Sequence, residues 1–244
     1  MLSFLVLANL LTNCAAAVNF RRDTLTPSDS KVIEKCVLPG HFALTIDVAF
    51  KRVDELLDVL RDEKARATFF ISANNFVSVA SDKRASANLK SIYRDGHQVA
   101  SIGWTHKSLL GMSTEEQKAD MDKNGDAIAK VIGKKPRYMM LPFSESNRKL
   151  LTSLGEWGYK IVGINADAQD YKHKDPETEL MMNKKEYRHA MVTKGELSTI
   201  VAVQEYMPHS VEWVKWLIKD ARGRGYKLVS VAECLGKGPM YRSS

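Results

Sequence analysis

The chain is poor in the residues that punctuate small or fibrous proteins. Of its 244 residues, 3 are cysteine, 7 are proline and 14 are glycine. That excludes a disulfide-dense scaffold and a collagen-like or proline-rich fibre. There is no Pro-, Gly- or Ser-rich linker and no tandem repeat, which argues against a string of small domains or a solenoid. Beyond residue 17 no apolar run is long enough to span a bilayer, and the terminal Tyr241-Arg242-Ser243-Ser244 offers no apolar tail for a lipid-anchor signal. No Asn-x-Ser/Thr site occurs, so N-glycosylation is not expected. The net charge is +7, but its basic residues are dispersed and no helix-turn-helix, zinc-finger or RNA-binding signature accompanies them. The charge therefore suggests weak attraction to acidic polymers or anionic surfaces and not a nucleic-acid partner.

What is present begins with residues 1–17, an uncharged stretch, apolar from Leu2 to Leu11 and closing on Ala15-Ala16-Ala17. It reads as a signal peptide cleaved near Ala17, although the usual basic start is missing; a buried N-terminal helix is the competing reading. Export would remove Cys14 and leave Cys36 and Cys234, one near each end of the mature chain. An even pair in an exported protein suggests a disulfide, the alternative being two buried thiols. The expected location is extracellular, at a cell wall or cell surface.

Apolar periodicity then alternates between two and 3.6 residues. Strands are expected at 42–46, 67–71, 98–102, 138–141, 161–165, 198–203 and 227–231, with helices near 53–60, 85–95, 113–132, 147–157, 177–188 and 211–222. Ser113 with Glu116 forms a capping-box pattern, and Gly133 and Gly158 stand at helix ends. Residues 18–35 are polar and read as an extension or short helix. Strict alternation of buried strands and helices specifies a parallel α/β domain, and so many strands in this length favour a barrel with its functional face at the strand C-terminal ends. The central stretch is Leu44-Thr45-Ile46-Asp47-Val48-Ala49-Phe50, an apolar strand ending on one carboxylate.

Several stretches together resemble the polysaccharide deacetylases of the NodB-homology type, including fungal chitin deacetylases. Leu44 to Phe50 resembles the family's Thr-Phe-Asp-Asp-Gly strand end, and Arg66 to Ile71 its Lys-Ala-Thr-Phe-Phe strand. Gly96 to His106 resembles the segment carrying its His-x-x-x-His pair. Gly133 to Phe143 looks like its Arg-x-Pro-Tyr region, Asp167 to Tyr171 its Asp-x-x-Asp-Trp motif, and Ile200 to Gln204 its Leu-x-His. The segment from Gly225 to Gly236 looks like the fungal C-terminus, whose cysteine pairs with one near the first motif, here Cys36 with Cys234. The resemblance implies a distorted (β/α)7–8 barrel over residues 41–236, preceded by an extension at 18–40 and followed by a tail at 237–244.

It also implies metal-assisted removal of acetyl groups from a sugar polymer, with zinc or cobalt in active members. Position by position, this chain departs from that chemistry. Asp47 matches the general base and His106 one metal ligand. Val48 and Ile102 stand where the other two ligands belong, Met140 replaces the orienting Arg, and Gln204 replaces the acid His. Catalytic zinc needs about three protein ligands, so no cofactor is expected, and Val48 and Ile102 are read as filling the emptied site. Trp104, Phe143, Asp167, Asp170, Tyr171 and Gln204 are read as lining a saccharide groove, while His173, His189 and His209 are read as solvated and Met181-Met182 as packing.

Three functions are open at this point. The first is an inactive relative that binds chitin or another cell-wall polysaccharide, or serves as a structural component of a wall or coat. The second is an active deacetylase with a displaced site on Asp47, His106 and either Glu205 or Asp167. The third is a surface partner acting through basic residues. A cationic chain has no electrostatic reason to favour cationic, deacetylated glycans.

Overall fold

A computed structural model describes residues 31–173, 175–194, 198–236 and 238–242. The expected signal peptide lies outside these. The elements in order are β1 (His41–Val48), α1 (Val53–Asp62), β2 (Thr68–Ile71), α2 (Lys83–Arg94), β3 (Gln98–Ser101), α3 (Thr114–Ile132), β4 (Tyr138–Met140), α4 (Arg148–Glu156), β5 (Lys160–Val162), α5 (Glu179–Lys194), β6 (Thr199–Gln204), α6 (Ser210–Gly223), β7 (Lys227–Val229) and α7 (Val231–Cys234). All strand pairs are parallel and follow the order β5-β4-β3-β2-β1-β6. β6 occupies one edge of β1 from Phe42 to Asp47, while β7 and then β2 share the other, pairing with His41–Ala43 and Thr45–Val48.

The two outer strands approach each other just beyond β5. Ala166 bridges Val201, and the Asn165 side chain donates to the Ser198 carbonyl and accepts from the Ile200 N–H. This single clasp, not a full ladder, closes the sheet into the distorted barrel.

Alternation along β1 sorts its side chains between two cores. Phe42, Leu44, Ile46 and Val48 join α1 and α6 residues such as Leu56, Leu57, Leu60, Trp213 and Leu217 in the outer layer. Ala43 joins Phe70, Ala100, Ile102, Tyr138 and Ile200 in the barrel interior. α1 forms because Val53, Leu56, Leu57 and Leu60 make one buried stripe. α3 starts at the Ser113–Glu116 capping box and stops at Gly133, whose φ of 72° suits glycine. Its fully buried Asn124 accepts from the Ala73 N–H and donates to the Ile71 carbonyl and the Ser101 hydroxyl, fixing the ends of β2 and β3 behind the site.

Both ends of the described residues pack on the barrel. Residues 31–35, the described part of the stretch 18–35 expected as an extension or short helix, form no helix: Ile33 bridges Val162, and Val32 lies against Gly163, where a Cβ would come within 2.8 Å of Val32 Cγ1. Cys36 and Cys234 form the disulfide. Tyr241 bridges Pro136, and the Arg242 guanidinium donates to the Trp157 carbonyl at 3.2 Å and the Tyr159 hydroxyl at 2.9 Å. These contacts dock the C-terminal tail on the body.

Candidate functional site

A cavity of about 360 Å³ opens at the strand C-terminal ends, lined by residues from β1, β4, β6 and the loops after β3, β4, β5 and β6. Asp47 reaches it from the interior face of β1, level with Gln204 on β6. His106 follows β3 with a φ of 56°, and its Nε2 lies 3.2 Å from Asp47 Oδ2. That hydrogen bond holds the imidazole above its ordinary pKa despite the opposing effect of burial. The Phe143 ring meets the His106 ring edge-on, with centroids 5.4 Å apart. Phe143 and Ser144 also adopt positive φ, 57° and 58°. Strained non-glycine backbone therefore gathers at the cavity mouth, where such strain commonly marks a site.

Asp170 closes another wall. It is 3% exposed. Its Oδ2 accepts from the Gln204 N–H at 2.7 Å and its Oδ1 from the Tyr171 N–H at 2.9 Å. Burial pushes its carboxyl up to about 7, with Asp167 and Glu179 adding to the rise and the two backbone N–H groups opposing it. Asp167 accepts from the Gln169 N–H at 2.8 Å.

Of the expected groove residues, Phe143, Asp167, Asp170, Tyr171 and Gln204 line this cavity together with Asp47, Ile102, His106 and Met140. Trp104 does not. It packs against the outer core, with the Lys123 ammonium 4.7 Å from its ring centroid and its carbonyl accepting from Ser72 and Asn74. Its place after β3 suggested the groove, but the chain turns at Gly103 (φ 84°) before reaching it.

The sequence reading missed Tyr206 and Ala202. Both lie two residues from Gln204 along β6 and its continuation, so period-two spacing would have found them. It also missed the role of Glu205. This buried side chain accepts from the N–H groups of Ala49 and Arg52 and so braces the turn between β1 and α1. Burial raises its pKa against those backbone N–H groups. Glu205 does not line the cavity, so it is a brace and not a displaced catalytic acid.

Of the histidines and methionines expected to be solvated or packed, some agree and some do not. His209 is paired, with Nδ1 3.2 Å from the buried Glu179 carboxylate. His189 is exposed on α5, as expected, whereas His173 buries its Nε2 and Met181 is exposed and not packed.

The sequence profile of the polysaccharide deacetylases matches residues 34–162. The chain belongs to the polysaccharide deacetylase family. It is 32% identical over 212 residues to a chitin deacetylase of Colletotrichum lindemuthianum, covering 85% of this chain and 84% of that protein. The solved structure of the chitin deacetylase from that fungus superposes with a TM-score of 0.82 at 29% identity, over 87% of this chain and 96% of the other. A family-4 carbohydrate esterase pseudoenzyme from Bacillus anthracis superposes with a TM-score of 0.71 over 85% of this chain and 70% of that one; at 19% identity the likeness is one of fold.

Membership implies a divalent metal held at positions 48, 102 and 106, and the donor set here does not fit one. Ile102 lines the cavity with an aliphatic side chain. Val48 does not fill an emptied site, as its sequence position suggested: it faces the outer core, on the side of β1 opposite Asp47. His106 alone offers a ligand atom, and that atom is hydrogen-bonded to Asp47. Among the described residues no three His, Cys, Asp or Glu side chains converge as ligands.

Proposed function

We propose that this polysaccharide-deacetylase homologue is an exported glycan-binding protein that does not deacetylate by the metal-assisted route of its family. The placement of Asp47 and Val48 carries the reading: the acid at the family's base position points into the cavity, while the next residue points into an apolar core. Without a metal there is no ion to polarise an acetyl carbonyl or to bring the pKa of a bound water toward 7. Gln204 cannot protonate a leaving amine, and Met140 cannot orient Asp47 by charge. These losses act on one mechanism and compound each other.

Glycan binding is supported by the retained cavity, by the aromatic residues Phe143, Tyr171 and Tyr206 in its wall, and by relatives named as chitin deacetylases. Such rings offer apolar faces to sugars. Export is supported by the apolar start of the sequence and by the Cys36–Cys234 disulfide, a bond favoured in oxidising compartments. The glycan proposed is chitin or a related cell-wall polymer.

Acetate release from chitin oligomers and acetylxylan, with and without added zinc or cobalt, tests the reading. No release is expected under any condition. Metal-dependent turnover lost on chelation would overturn it.

A further inference from the structure

The cavity has a charge pattern opposite to that of the whole chain. Its walls carry three carboxylates, Asp47, Asp167 and Asp170, and one basic group, His106, with no lysine or arginine among its lining residues. Asp47 and His106 offset one another across their 3.2 Å contact. Asp170, whose buried carboxyl is raised to about 7, keeps its proton in mildly acidic solution, which leaves Asp167, with hydrogen-bond capacity beyond the Gln169 N–H already bound, because an ionised carboxylate has about four acceptor positions. The nearest lysines lie outside: Lys51 sits over the Phe76 and Tyr206 rings, and Lys172 over Tyr171, at 5.5 to 5.9 Å from the centroids. The rims of Tyr171 and Tyr206 thus already hold ammonium groups, which aromatic faces attract.

We propose that this cavity selects a sugar bearing a free ammonium group, a glucosamine unit of a deacetylated glycan, over the same sugar N-acetylated. The inference rests on the glycan-binding reading above and reverses the expectation from net charge, because a ligand inside the cavity meets Asp167 in its wall, while Lys51 and Lys172 stand at its rim. Ile102, Met140, Leu141 and Ile164 give the cavity an apolar side that would also accept an acetyl methyl. Burying one methyl-sized group is worth about fourfold in affinity, whereas a hydrogen bond to a charged partner is worth about tenfold or more. The ammonium therefore prevails.

Calorimetric titration of the full chain with a glucosamine tetramer and with an N-acetylglucosamine tetramer, in mildly acidic buffer of low ionic strength, tests this. The glucosamine tetramer should bind about tenfold tighter. Asp167→Asn should lower the glucosamine tetramer's affinity far more than the acetylated tetramer's, removing most of that preference. Gln204→Lys, which adds a cation to the wall, should do the same and serves if the first variant fails to fold. Equal affinities, or preference for the acetylated tetramer, would overturn this inference and leave glycan binding standing. Binding of neither tetramer would overturn the glycan-binding reading, and this one with it.

Discussion

Asp47 and Val48 are neighbours in the chain but lie on opposite faces of β1. Asp47 points into the cavity and meets His106, while Val48 is 4% exposed and packs in the layer shared with Leu56 and Trp213. Val48 lies within the strand and so presents its side chain to the apolar layer and not to the cavity.

Restoring the residue type alone should accordingly fail. Val48→Asp would place an unpaired carboxylate in an apolar core and should cost about 3 kcal/mol or more. Val48→Ala, a cavity-forming control, should cost less. Urea denaturation compares the two. A Val48→Asp protein as stable as Val48→Ala would mean that position 48 can turn into the cavity.

His106 should titrate above its ordinary value because of the Asp47 hydrogen bond. Such a raised imidazole contributes stability that is fully present below the unfolded-state value and is lost as pH rises through the folded-state one. NMR titration should show the His106 pKa falling in Asp47→Asn. An unchanged value would show that the 3.2 Å contact is not formed in solution.

Asp170 gives a pH dependence of a less common sign for a carboxylate. Its folded value is raised to about 7 from 3.8. The native state thus holds a proton that the unfolded chain releases, and this contribution is lost as pH rises from about 4 to 7. The decline in stability over that window should be shallower in Asp170→Asn than in wild type. Parallel curves would mean that Asp170 titrates normally.

The architecture was legible because local pattern and tertiary role agree. The stripe of Val53, Leu56, Leu57 and Leu60, the Ser113–Glu116 cap and the apolar strand before Asp47 each specify one element in isolation. The disulfide was legible from pairing arithmetic and resemblance. What could not be read depends on contacts across the fold. The bracing role of Glu205 arises from a turn 153 to 156 residues away. The pairing of Glu179 with His209 and the docking of Arg242 on Tyr159 are likewise long-range. Trp104 was misplaced because motif spacing locates a residue along the chain but not the side to which its loop turns.

The disulfide spans a sequence separation of 198 residues. Chain entropy puts its contribution at up to about 5 kcal/mol. Guanidinium unfolding of the Cys36→Ser/Cys234→Ser protein should show a loss of about 2 to 5 kcal/mol. A loss below about 1 kcal/mol would mean that the flanking contacts, such as the Val37 N–H to the Cys234 carbonyl, hold the ends unaided.

On the proposed reading this polysaccharide-deacetylase fold holds no metal centre. Crystals soaked in zinc and measured at its absorption edge test it most directly. No anomalous peak is expected within bonding distance of Asp47 and His106. A strong peak coordinated by both would contradict it.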